Sequence, residues 1–425
     1  MTQPPNQPDQ RELARPRTFE AYRVLRFQVH QASWITSSLA MQMAQLARPW
    51  LAFDISDSAL MLGVVAASQG LAQVIAAPFG GLAADRLPKR TVLLISQVVL
   101  LSMVSVMATL VALNAIEVWH LALLSVVHGV TVTFNNPVRQ AYIPLLLPRQ
   151  LLANGMALHN GARSLNQIVG PALVGVLLEV EVTIAFFMIV GLHATSVALS
   201  TRLPRGTPDP SGGRGITGEL IFGLRYAAGH RVLRIIVLLS ILATVFVHPY
   251  HALLPVFQKD VLEVGESRLG LMFAAIGLGA LVSSIVVATF SDWLMKSWMP
   301  LLAGAFFGGA VVAFALSQFY PLTLLMLFAA GASAQVFSIA NSTQMMYHAD
   351  PALYGRVAGL SIWIRALMSI AVLGYGAAID ASSAPTAVAT GGAAFIASLV
   401  LVALAFPYFR RGEPSTSQAE CLSSN

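Results

Sequence analysis

The sequence predicts an all-α membrane protein, twelve transmembrane helices arranged as two pseudo-symmetric six-helix bundles. Three observations carry the prediction. Of 425 residues, 56% are hydrophobic and only 10% charged, and mean hydropathy is +0.71, a balance that water-soluble domains do not reach. Apolar windows of about 20 residues, the length a helix needs to cross the hydrocarbon, can be placed twelve times along the chain. The connections between those windows alternate in charge, with cations gathered in every second one, as the positive-inside rule requires of a polytopic protein.

Residues 1–27 precede the first bundle and lack the apolar core of a secretory signal, so they read as a cytoplasmic tail. The first bundle covers 28–203, with windows at 28–53, 59–84, 91–114, 119–146, 151–178 and 182–203. A connection over 204–234 contains Pro204, Gly206, Pro208, Pro210, Gly212, Gly213 and Gly215, then a surface helix expected at Leu220 to Ala228. The second bundle covers 235–407, with windows at 235–257, 268–290, 299–318, 321–347, 353–379 and 385–407, and 408–425 form a second cytoplasmic tail. That tail holds the only cysteine, Cys421, so no internal disulfide is possible.

Loop charge sets the orientation. Arg11, Arg15, Arg17, Arg23, Arg26, Arg86, Lys89, Arg90, Arg149, the cations from Arg202 to Arg234, Lys296, Arg356, Arg410 and Arg411 fall on one side, which places both termini in the cytoplasm. Lys259 and Arg268 fall on the other, where Asp54, Asp57, Glu117, Glu179, Glu181, Asp260, Glu263, Glu266 and Asp380 mark the helix ends. The two halves echo one another. A shift of 202 positions lays Leu151 on Leu353, Leu158 on Leu360 and Arg163 on Arg365, and a slightly larger one lays Asp85 on Asp292.

The formal charge of +6 is accounted for by this loop asymmetry, so nucleic acid is not expected as a partner. The chain has no Walker-type phosphate loop, no metal-spaced His/Cys cluster and no Gly-x-Ser-x-Gly elbow, so neither an enzyme, a cofactor nor a metal is expected.

The run Gly81-Leu82-Ala83-Ala84-Asp85-Arg86-Leu87-Pro88-Lys89-Arg90 resembles the first-half loop motif of the major facilitator superfamily, Gly-x-x-x-Asp-Arg-x-Gly-Arg-Lys/Arg. Pro88 stands where glycine is usual and stiffens the turn. With twelve windows and a basic central loop, the resemblance covers nearly the whole chain. Pro49-Trp50-Leu51, Asn136 to Ala141, Leu151 to Leu158, Gly170 to Gly175 and Leu269 to Ser283 are similar to the enterobactin-exporter and macrolide-efflux branch. The resemblance implies two bundles rocking about a midplane cavity and secondary transport, usually export driven by the proton gradient, from a plasma (inner) membrane location. It implies that Asp85, in the hinge with Gly81, Arg86, Lys89 and Arg90, braces a cytoplasmic gate against the Gly355-Arg356 segment. Gly170-Pro171 with Gly175 resembles an element associated with antiporters, lacking its second closing glycine. The partners implied are a small-molecule substrate, the lipid bilayer and protons, with the chain acting as a monomer.

Helical spacing puts Gln31, Trp34, Ser38, Gln42 and Gln45 on one stripe of the first helix with Arg48 at its margin, a stripe suited to water or substrate. Arg48 either anchors an anionic or acceptor-rich ligand, or snorkels to the outer interface or pairs with Asp54. The fourth helix aligns His128, Asn135, Arg139 and Tyr142, and the fifth aligns His159, Arg163, Asn166 and Gly170. Arg163 and Arg365 read as cavity or gate charges, or as donors to backbone carbonyls between helices. Arg139, nearer the cytoplasmic end, reads as a gate or interface residue.

No Asp or Glu falls near a helix centre, so the candidate proton carriers are His128, His159 and then Asp54. Pro249 and Pro255 predict a broken seventh helix that serves an outer gate or is simply satisfied by neighbours. Gln335, Ser338 and Ser342 offer neutral hydrogen bonding from the tenth helix. Apolar, Met-containing walls with few charges suit amphipathic compounds such as a siderophore, macrolide or drug. An importer or flippase of a metabolite or lysolipid, and a non-transporting receptor or scaffold, are the alternatives.

Overall fold

Backbone groups in hydrocarbon must be satisfied within their own segment, and long Leu, Ala, Val and Phe runs without strand alternation leave the helix as the means. The computed structural model describes residues 19–204, 229–289, 296–348 and 354–406, without the side chains of 78, 81–86, 149, 231, 354–363 and 365–366. Among the described residues the long helices are α1 (Leu25–Ser56), α2 (Ala59–Arg86), α3 (Lys89–Ala112), α4 (Val118–Leu146), α5 (Leu152–Val180), α6 (Val182–Ser200), α7 (Arg231–Phe246), α8 (Glu266–Thr289), α9 (Met299–Ala315), α10 (Tyr320–His348), α11 (Tyr354–Ala381) and α12 (Ala384–Ala405). The surface helix expected at Leu220 to Ala228 and most of both expected tails lie outside the described residues. The seventh helix starts at Arg231, inside the stretch read as connection.

Among the described residues, eight spans are long and apolar enough to cross a bilayer by length and composition. Helices α1 and α5 are not among them, because their faces carry Gln31, Gln42, Gln45 and Arg48, and His159, Arg163, Asn166 and Gln167. The helices with the lowest apolar content are thus the ones that hold the polar residues.

Helix breaks follow local chemistry. Asp57 ends α1 in the left-handed region at φ 49°, its N–H bonded to the Phe53 carbonyl at 2.8 Å, a conformation that aspartate tolerates better than branched residues. After Phe246, α7 gives way to a 3-10 turn at His248–His251, a short helical turn at Leu254–Val256 and a π turn at Phe257–Val261. Pro249 and Pro255 open the first two of these pieces and are buried, so the break predicted at the seventh helix is present.

In the first half α1 packs on α5 and α6, α2 on α4, and α3 on α4 and α6. The second half repeats the plan: α7 on α11 and α12, α8 on α10, and α9 on α10 and α12. The halves meet chiefly where α2 lies on α11 and α5 on α8. Both seams depend on close backbone approach. A Cβ on Gly376 of α11 would sit 2.4 Å from the Ala59 carbonyl oxygen, and one on Gly175 of α5 would sit 2.8 Å from the Gly270 Cα of α8. Fully buried Met43, Leu46, Phe186, Phe307, Phe314 and Phe395 fill the helix contacts on either side.

The loops after α1, α3, α5, α7, α9 and α11 define one end of the molecule, the odd-loop end. The loops after the even-numbered helices define the other.

Candidate functional site

Two polar assemblies stand out from the apolar background. The first is buried in the first half. Arg139 of α4, 2% exposed, donates through Nε to Asn135 Oδ1 at 2.9 Å, through Nη1 to Ser33 Oγ at 3.4 Å and through Nη2 to Ser196 Oγ at 3.1 Å. Ser33 lies 2.8 Å from Ser200 Oγ, and Ser196 donates to the Ser33 carbonyl. One guanidinium therefore ties α1, α4 and α6 through neutral acceptors. Arg139, expected at a gate or interface, finds its acceptors inside one half: its three planar donor directions match hydroxyl and amide oxygens of α1, α4 and α6.

Nearer the odd-loop end, Arg48 is 3% exposed. Its Nε donates to the Ala44 carbonyl of its own helix at 3.2 Å and its Nη2 lies 3.4 Å from His128 Nδ1. It does not pair with Asp54, which lies 3.7 Å from Lys259 Nζ. The snorkelling alternative fails on burial, and the pairing alternative fails on distance along the helix: six residues separate Arg48 from Asp54, about 9 Å of rise.

The α1 stripe grades from buried to exposed. Gln31 is buried, its Oε1 3.2 Å from His159 Nδ1. Trp34 is half-buried with its ring centroid 4.0 Å from that of His159, Ser38 and Gln42 are half-buried, and Gln45 is exposed. Asn166 donates to the Ile35 carbonyl at 3.0 Å, and a Cβ on Gly170 would meet Gln42 Cβ at 2.6 Å. The Gly170-Pro171-Gly175 element thus lets α5 approach α1 at Gly170 and α8 at Gly175. Arg163 is exposed on α5, one turn from His159.

The second assembly joins the halves at the odd-loop end. Lys259 donates to Asp57 Oδ1 at 2.6 Å and sits 5.6 Å from the Phe53 ring centroid. Asp380, ending α11, accepts from the Ala59 N–H at 2.9 Å, the Leu60 N–H at 3.3 Å and the Ser58 hydroxyl at 2.7 Å. Glu179, ending α5, accepts from the Ser267 N–H at 2.9 Å. Each of these two carboxylates satisfies orphan donors at the N-terminus of a helix in the opposite half, where the helix dipole favours negative charge. These hydrogen bonds and ion pairs join the halves at the odd-loop end.

At the other end, Arg90 donates to the Thr201 carbonyl, which binds α3 to the end of α6 within one half. Lys89 is buried at the start of α3. The side chains of Asp85, Arg86, Arg356 and Arg365 fall outside the description, as does residue 81 beyond its place in α2. On α10, Gln335 is half-buried while Ser338 and Ser342 are exposed. Their neighbour Asn341, which sequence reading passed over, is buried and donates to the Ile236 carbonyl at 3.2 Å and to Ser240 of α7. Ser33, Ser196, Glu179 and Asp380 were likewise not singled out as site residues: isolated serines and helix-end acids carry no pattern until the fold pairs them. Among the described residues no group of three or more His, Cys, Asp or Glu side chains is placed to hold a metal.

The fold and its buried polar helices define an integral membrane protein of the transporter class. A family model described as transmembrane secretion effector matches residues 19–420, and the chain belongs to this family, within the major facilitator superfamily. The chain is 26% identical over 330 residues to the multidrug efflux pump Tap of Mycolicibacterium fortuitum, covering 74% of this chain and 79% of that protein. It is 20% identical over 357 residues to macrolide efflux protein A of Streptococcus pyogenes, covering 82% and 87%. Among solved structures, the nucleoside transporter NupG superposes with a TM-score of 0.73 at 15% identity over 92% of this chain and all of that one. A bacterial homologue of the human lysosomal transporter Spinster, inward-facing and unoccupied, gives 0.68 at 12% identity over 91% and 96%.

Proposed function

We propose that the protein is a secondary active exporter of amphipathic small molecules, of the drug, macrolide or siderophore kind, working by alternating access between two six-helix bundles. In this reading the odd-loop end faces outward, both termini are cytoplasmic, and the chamber is lined by the α1 stripe from Gln31 to Gln45 together with His159, Arg163 and Asn166 of α5 and Gln335 and Ser342 of α10.

The observation that carries it is the kind of bond that joins the halves at the odd-loop end. There the halves are joined by exposed or part-exposed bonds, and each is weak: an exposed ion pair contributes about 0.2–1 kcal/mol and a helix cap about 1 kcal/mol. Contacts of that size hold a gate shut and still release it on the μs–ms timescale of domain motion. The direction of transport is taken from the efflux relatives. Proton coupling follows from the exporter reading, with His159, His128 and Asp54 as the side chains able to carry a proton.

The test is flux. Everted membrane vesicles given an imposed proton gradient should accumulate at least one member of a panel of macrolides, siderophores and cationic drugs, and should lose that accumulation with an uncoupler. Absence of movement across the panel would overturn the proposal. Uptake running only with the compound gradient would favour the importer or flippase reading instead.

A further inference from the structure

Two arginines lie fully inside the first half, and they are satisfied very differently. Arg139 has a neutral oxygen acceptor on each of its three nitrogens. Arg48 has the carbonyl of its own helix and one long contact to His128, and its Nη1 is buried without a hydrogen-bond partner. No salt bridge to a carboxylate is formed by either among the described residues. A buried charge left in this condition costs several kcal/mol, so the site around Arg48 is built for something that brings negative charge to it.

A second observation comes from the facing helix. Ser125 precedes His128 by three residues on α4, on the same face, and both are buried. The Ser125 hydroxyl is itself buried and unpartnered. His128 accepts at Nδ1 from Arg48, which puts the ring proton on Nε2. The group therefore offers a free guanidinium edge and a free hydroxyl, with His128 holding the guanidinium through Nδ1. It contains donors and one fixed positive charge, with no carboxylate paired to it among the described residues.

We propose that Arg48, Ser125 and His128 form a binding site for a singly charged anion, a halide or a carboxylate, within the first half. A monovalent anion matches the single net charge. A divalent one would leave an uncompensated negative charge in the same apolar surroundings. The proposal deepens the chamber reading, on which it rests only for the path by which the anion enters.

Purified full-length protein in lipid nanodiscs should bind radiolabelled chloride saturably at constant ionic strength, with divalent sulfate, which the site should not take, as the replacing anion. In a second arm, unlabelled acetate is titrated against bound chloride. Displacement assigns the site to carboxylates as well as halides, and failure to displace assigns it to halides alone. Arg48→Gln should abolish binding, and Ser125→Ala should weaken it roughly tenfold, the effect of losing one hydrogen bond to a charged group. Arg268→Gln, at the surface beside Tyr320, should leave it unchanged. Where Arg48→Gln fails to fold, Ser125→Ala carries the test. Absence of saturable binding, or binding that both substitutions leave intact, would overturn the proposal. No transport is measured, so a failure here is distinct from a failure of the exporter reading.

Discussion

Glu179 and Asp380 hold matching posts in the two halves. Each ends a helix, α5 or α11, and each reaches across to the first backbone N–H groups of a helix in the opposite half, α8 or α2. They are 201 positions apart. The halves thus close on each other reciprocally, one carboxylate from each side. Replacing either by alanine removes a cap of about 1 kcal/mol. Replacing both should shift the balance toward an open odd-loop end by more than about tenfold. The readout is the labelling rate of Gln45→Cys in a Cys421→Ser background, using an impermeant thiol reagent added from outside. The Glu179→Ala, Asp380→Ala pair should label faster than the parent, and an unchanged rate would refute the latch assignment.

Gly376 and Gly374 are two residues apart on α11 and meet different surroundings. A Cβ at Gly376 would lie 2.4 Å from the Ala59 carbonyl oxygen, against backbone that cannot rotate away, whereas one at Gly374 meets nothing within 4 Å. Gly376→Ala should therefore force α2 and α11 apart and lower the melting temperature, by an overpacking penalty of about 1–3 kcal/mol. Gly374→Ala should be neutral or slightly stabilising through helix propensity. Equal effects of the two substitutions would show that the seam tolerates a methyl group and that backbone approach there is not required.

The helices were legible because span length and hydropathy depend on local composition alone, and all twelve windows lie close to observed helices. The internal repeat was faint for a reason visible in the glycines. Gly63 and Gly270 stand 207 positions apart, as do Gly70 and Gly277, while Gly175 and Gly376 stand 201 apart. No single shift superposes both seams. The α1 stripe was legible because side chains at helical spacing share a face, and Arg48 was singled out because a charge in an apolar run is conspicuous. The fate of that charge was not legible, since His128 lies 80 residues away and only packing brings it near. Arg139 reads as a gate or interface residue from its depth along α4. Of its acceptors, Asn135 shares its helix face at i−4 and was legible, whereas Ser33 and Ser196 are common residue types with no spacing that marks them.

Arg139 gives a prediction that separates charge from geometry. Its guanidinium reaches three acceptors on three helices, and a lysine keeps the charge but not the fixed fork of donors. Arg139→Met leaves Asn135 Oδ1 buried without its donor, while Ser33 and Ser196 keep the bonds they make to Ser200 and to the Ser33 carbonyl, and should destabilise the first half by about 1–3 kcal/mol. Arg139→Lys should recover only part of that loss. Thermal unfolding followed by intrinsic fluorescence distinguishes the cases, and full rescue by lysine would mean that positive charge alone matters at this place.

Asp57 combines a backbone role with an electrostatic one, and two substitutions separate them. Its left-handed φ of 49° ends α1, and its carboxylate takes the Lys259 ammonium at 2.6 Å. Asn tolerates the left-handed region and lacks the charge, so Asp57→Asn should keep the helix end and lose only an exposed ion pair, a change within about 1 kcal/mol. Asp54, 3.7 Å from the same ammonium, retains part of the attraction. Asp57→Val removes the charge and adds the steric cost of a branched residue in that region, about 1–2 kcal/mol more. Salt decides which part is electrostatic: screening should narrow the gap between wild type and Asp57→Asn as ionic strength rises toward 1 M, where the Debye length falls to about 3 Å. The gap between Asp57→Asn and Asp57→Val should not respond. Labelling of Gln45→Cys across a salt series measures both gaps, and a valine effect that disappears in high salt would show that the backbone argument is wrong.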